Sequence, residues 1–183
     1  SGDIALQTAI SKGQYAYPTG LFYGGDHNTW SNDMIRSIAK RYLHDANKVV
    51  IIDIHTGLGS YGNAEVILNS PMNSPEYKRA IDIWGPSLAK TTVTGESVSV
   101  HLESTLKLAF PKMLPGPEVT AVSLEFGTLS PMDVFKALRA ENWLYHHGSI
   151  DHTNEKERKN CLLKAFYPND EKWRASVLEK GKK

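Results

Sequence analysis

Val49-Val50-Ile51-Ile52-Asp53-Ile54-His55-Thr56-Gly57-Leu58-Gly59 is the stretch on which the fold turns. Its first half is a run of apolar, mostly β-branched residues without polar alternation. Such a run predicts a strand covered on both faces, as in the sheet of an α/β protein. It then runs into an acid, an imidazole and a glycine-rich loop. Ligands gather where the strands of an α/β sheet end and loops begin, so the same stretch predicts a site. Asp53 and His55 are two apart and share one face of a strand. An acid beside an imidazole can hold its tautomer and raise its basicity as a ligand. The other reading is a capped strand end with a structural histidine.

Outward from this strand, helical and extended patterns alternate. Toward the N-terminus, Met34, Ile35, Ile38, Ala39, Tyr42 and Leu43 recur at helical spacing and predict a helix over 32–45, capped by Ser31 or Asn32. A short helix is expected over 4–11. Between them, residues 13–25 mix glycines and a proline with four aromatics, a composition expected of an ordered loop packed on the domain. Toward the C-terminus, 64–68 predicts a second strand, and Ser74-Pro75 opens a helix reaching Trp84 or Leu88. Residues 91–102 are ambiguous, with strand-like pieces broken at Gly95-Glu96. No element is assigned between 103 and 118. Residues 119–126 form another apolar strand. Pro131 suits a first helical turn, opening a helix to about His147, and two more helices are expected over 155–165 and 170–179. This alternation predicts a three-layer α/β/α sandwich with a mixed, mostly buried sheet, as a single domain over 1–183.

The strand 119–126 carries the second chemical signal. Glu125 sits inside an otherwise apolar run. Burying an unpaired carboxylate costs several kcal/mol or raises its pKa, so such a group is usually paired or catalytic. The bland alternative is a solvent-facing acid at a strand end. Weaker candidates surround these two. His152 and Glu155 have a spacing that shares a helical face, near His146 and His147, but the segment is highly charged and reads as a solvated helix start. His101 and Glu103 read as a surface pair. Tyr61 either reaches a substrate or packs. Ser123 lacks a nucleophile-elbow context, and Cys161, beside Leu162 and Leu163, reads as core.

The chain has 183 residues and a formal net charge of +1, so bulk charge suggests neither a nucleic-acid nor a membrane partner. No apolar run approaches the ~20 residues of a membrane span. A single cysteine excludes an internal disulfide and fits a cytoplasmic setting.

At several points the sequence resembles the zinc carboxypeptidase superfamily, in a branch of uncharacterised bacterial proteins akin to succinylglutamate desuccinylase and aspartoacylase. The matching pieces are Gly13-Gln14-Tyr15, 20–25, Trp30-Ser31, 53–59, 124–128 and Glu141-Asn142-Trp143, with 166–173 near the end. The resemblance implies zinc-assisted hydrolysis of an amide bond in a peptide or small molecule. It makes His55 a zinc ligand, Glu125 the general base, Asp53 the support of His55, and Thr56, Gly57, Gly59 and Tyr61 part of the substrate pocket. One departure matters. The family's first two ligands form a His-x-x-Glu pair, followed by an arginine, before the third ligand; neither precedes His55 here. The expectation is therefore the C-terminal portion of a metallopeptidase-like or deacylase domain, with the upstream part of the same polypeptide absent and zinc held weakly or not at all. A non-catalytic binding module that keeps the fold without the metal is the alternative. A third reading is a small metalloprotein using His55 with His146, His147, His152 and Glu155.

Overall fold

The computed structural model describes residues 2–148 and 152–182, without the side chains of 2–4, 6 and 152–154. It is an α/β sandwich built on a four-stranded mixed sheet. The elements run α1 (Gly2–Ser11), α2 (Trp30–Tyr42), β1 (Lys48–Tyr61), β2 (Ala64–Leu68), α3 (Pro75–Trp84), β3 (Ala89–Thr91), α4 (Leu106–Met113), β4 (Glu118–Gly127), α5 (Pro131–His147), α6 (His152–Phe166) and α7 (Glu171–Lys180). Strand order is β1-β4-β2-β3. β1 and β4 are parallel, whereas β2 runs antiparallel to β4 and parallel to β3.

Each face of the sheet buries its own apolar cluster. On one face Val49, Val119 and Ala121 pack against Ala39 of α2 and Phe110 of α4, with Leu114 just beyond that helix. On the other, Val66, Leu68 and Val122 pack against Ala80 of α3. Proline opens α3 and α5 as expected. The hydroxyls of Ser74 and Ser130 accept the N–H groups of Tyr77 and Asp133, satisfying donors that a helix start leaves unpaired.

Several expectations need correction. Among the described residues β1 pairs only with β4 and so forms an edge of the sheet. Val50, Ile52 and Ile54 on one of its faces are half to two-thirds exposed, so the apolar run is not covered on both sides. β-branched residues favour a strand wherever it lies, and order within the sheet is a long-range outcome. α2 begins at Trp30, because the hydroxyl of Thr29, not that of Ser31 or Asn32, accepts the Asn32 N–H. Residues 103–118 contain α4, which had no assignment. Pro111 there lies near the helix's C-terminal end, where the helix is about to stop anyway. Residues 92–102 form no regular strand. In the loop 13–25, Gln14 ties the chain to the carbonyls of Tyr17 and Leu21, so it is ordered by its own polar bonds. Tyr15 and Tyr17 nevertheless stay exposed. Cys161 is exposed as well, not core.

Candidate functional site

The parallel register of β1 and β4 sets His55 beside Glu125 and Asp53 beside Ser123. After Thr56 pairs with Phe126, the next pair is Tyr61 with Gly127, so four residues of β1 bulge out of the ladder. Gly57 and Gly59 make that bulge possible. Their φ values of +129° and +95° lie where side-chain-bearing residues are strained. The bulge turns the Leu58 N–H inward, where it donates to Glu125 Oε1 at 3.0 Å. The glycine pattern thus supplies the hydrogen bond that holds one oxygen of the buried acid.

Glu125 is only 4% exposed. Burial raises its pKa above the ordinary carboxyl value. The Leu58 N–H and the charges of His55 and Lys107 pull the other way, and Glu65 adds to the rise. Its Oε2 faces His55 Nδ1 at 3.8 Å, while His55 Nε2 lies 2.8 Å from Asp53 Oδ2. The imidazole is therefore bracketed by two carboxylates.

These groups open onto a cavity of about 520 Å³. His55, Thr56, Gly57, Leu58 and Glu125 form its floor. Val134, Phe135 and Leu138 of α5 line one wall, with Phe166 of α6 beside them. Ile10 of α1 and Phe22 of the loop after it line another. α6 and α7 brace this end of the sheet: Thr128 Oγ1 donates to the Ala165 carbonyl at 2.6 Å, and Trp173 Nε1 to the Gly127 carbonyl at 2.9 Å. Tyr61 stands apart from the cavity, its hydroxyl donating to Asp170 Oδ2 at 2.7 Å. Gly59 packs near Val98 and is likewise outside the lining.

Two residues of this neighbourhood went unnoticed in the sequence. Glu65 of β2 is the direct cross-strand partner of Glu125 and shares its face. It is buried, and its Oε1 accepts from Ser97 Oγ and the Val98 N–H. The signal that singled out Glu125, an acid within an apolar strand, applies to Glu65 equally. Lys107 of α4 is 7% exposed, and its Nζ donates to Ser123 Oγ at 3.3 Å. Burial lowers its pKa to about 8, against the opposing pull of Asp53, Glu125, Glu65 and Glu76. Nothing in the local pattern distinguishes it from a surface lysine.

The weaker candidates go elsewhere. His101 Nδ1 lies 3.0 Å from Thr92 Oγ1. His147 stacks on Trp143 and reaches its carbonyl. Glu155 accepts from Lys159 Nζ, and the side chain of His152 lies outside the described residues. Among the described residues no three His, Cys, Asp or Glu side chains gather as a metal-holding group. Taken by themselves, they do not fit a zinc ion, which needs three or four ligands.

Residues 1–180 match the model of a family described as a protein of unknown function, DUF2817. No curated protein and no solved structure matches the chain.

Proposed function

The chain belongs to the DUF2817 family, and from the site it carries we propose that its function is amide-bond hydrolysis with Glu125 as the proton-transfer group. The observation that carries this reading is the carboxyl group itself. It is buried at the cavity floor, one oxygen held by the Leu58 N–H and the other turned toward His55. A buried acid in an apolar strand is usually paired or catalytic, and unlike Glu65 this one faces the cavity.

In this reading Glu125 takes a proton from the attacking water as that water adds to the amide carbonyl. The carboxylic acid so formed hands the proton to the leaving nitrogen. A pKa raised toward the working pH serves both halves, because base and acid forms are then both accessible. Asp53 holds the His55 ring in one orientation. The resemblance to zinc carboxypeptidases and deacylases supports the same reaction class and would make His55 one ligand of a zinc ion. The remaining ligands would have to come from outside the described residues, from the upstream part of the same polypeptide in the fragment reading, and no step above runs through the metal.

The test is hydrolysis of a panel of N-acyl amino acids and dipeptides, with and without added zinc, by this chain and by a version extended upstream of Ser1. Glu125→Gln should abolish whatever hydrolysis is found. Activity that survives this substitution would remove the assigned base. That no three His, Cys, Asp or Glu side chains gather as a metal-holding group among the described residues leaves room for a second reading, a binding module that uses the same cavity without turnover. Ligand binding with no hydrolysis in either form would select it.

A further inference from the structure

The cavity over Glu125 has a chemical character that the residue roles alone do not convey. Its walls are the side chains of Val134, Phe135, Leu138 and Phe166 on one side and Ile10 and Phe22 on the other. Besides the floor, where the reacting groups lie, its polar side chains are the uncharged Gln7 and Ser11 of α1 and Ser130 at the start of α5. Among the described lining residues there is no lysine or arginine, and Glu125 is the one acidic side chain. A substrate carboxylate entering these walls would lose its hydration, find no lysine or arginine in them and face the Glu125 carboxyl below, beside a His55 already flanked by Asp53. An apolar group would lose only water. The volume, about 520 Å³, falls within the ~300–1,000 Å³ usual for small-molecule pockets and exceeds what a methyl or ethyl group fills.

We propose that the cavity takes a large apolar group of the substrate, an aryl ring or a medium-length alkyl chain, with the amide lying against Glu125. The assignment of the amide to Glu125 rests on the hydrolase reading. The selection of an apolar group rests on the walls alone. Acidic acyl groups such as succinyl are thereby disfavoured.

The probes are neutral primary amides of increasing length, from acetamide through butanamide and hexanamide to octanamide, with benzamide as the aryl arm. Each is titrated into the full chain and followed by backbone amide NMR. Transfer of one methylene out of water corresponds to about a fourfold gain in affinity. Affinity should therefore rise by roughly that factor per methylene until the cavity is full, with shifts at Leu138 and Phe166. Succinamic acid, of similar size to butanamide but anionic, should bind more weakly than butanamide. Leu138→Trp should fill the space and flatten the length dependence, and the length series on the unaltered chain stands even if that variant fails to fold. Affinity independent of length, or succinamic acid binding more tightly than butanamide, overturns the proposal. The two readings separate cleanly. A length series without hydrolysis in any form would remove the hydrolase reading and keep the apolar pocket. Hydrolysis with a flat series would do the reverse.

Discussion

Replacing Lys107 by methionine should change how the stability of this fold depends on pH, by an amount the structure allows to be worked out. Lys107, in the first turn of α4, is almost sealed from water against the sheet, and Ser123 Oγ accepts from its ammonium. Burial lowers its pKa from 10.5 to about 8. A lysine whose folded pKa is depressed favours the fold when neutral. Its stabilising contribution is therefore complete above the unfolded pKa and is lost as pH falls through the folded one. At about 1.36 kcal/mol per pKa unit, the full swing is on the order of 3 kcal/mol, most of it between pH 7 and pH 10. The assay is urea unfolding of the wild type and Lys107→Met at intervals across that range. Groups far from Lys107 contribute to both proteins and cancel in the difference, whereas Glu125, whose pKa the Lys107 charge lowers, does not. Stability of the wild type relative to the variant should rise by roughly 2 to 3 kcal/mol from neutral to alkaline pH. The absolute offset is set separately, because methionine leaves Asp53, Glu65 and Glu125 without their shared cation. Lys107→Arg stays charged throughout the range and should not show the rise. A difference between wild type and Lys107→Met that is flat with pH, to within about 0.5 kcal/mol, would refute the buried-ammonium account.

Glu125 carries the opposite sign. Its pKa is raised by burial, so its contribution to stability is complete in acid and is lost as pH rises through the folded value. Glu125→Gln, which cannot ionise, should therefore gain on the wild type at pH 7.5 and lose that advantage near pH 4, in paired urea melts. An advantage that grows toward acid would contradict the burial argument. Gly127→Ala should be severely destabilised, by about 3 kcal/mol or more, because a Cβ there would meet the Ser60 carbonyl oxygen at 2.0 Å. Thermal melting reads this directly, and near-wild-type stability would mean the bulge of β1 does not lie against β4 as described. Trp173→Phe loses the indole donor to the Gly127 carbonyl, which keeps its bond from the Gly62 N–H. The expected cost is about 1–2 kcal/mol in chemical denaturation, and no measurable loss would show that α7 contributes little to bracing this end of the sheet.

How far the chain was legible depended on how local each cause was. The β-branched runs at 49–54 and 119–126 predicted their strands, and Ser74-Pro75 and Pro131 marked helix starts that the structure shares. The glycines at 57 and 59 signalled a sharp backbone. Propensity, capping and φ preference act within a few residues, so sequence carries them. α4 escaped because Pro111 argues against a helix unless its end is already known. The edge position of β1 escaped because nothing in a β-branched run states how many neighbours the strand will have.

The site divides in the same way. Sequence by itself marked Glu125 and His55, since an acid in an apolar strand and a histidine at a strand's end are unusual wherever they occur. Only the tertiary structure decided that the two are cross-strand neighbours and that Leu58 turns its N–H onto the acid. It also set Glu65 and Lys107 beside them. Those facts depend on strand order and register, which come from burying both faces of the sheet at once and from contacts between residues far apart in the chain.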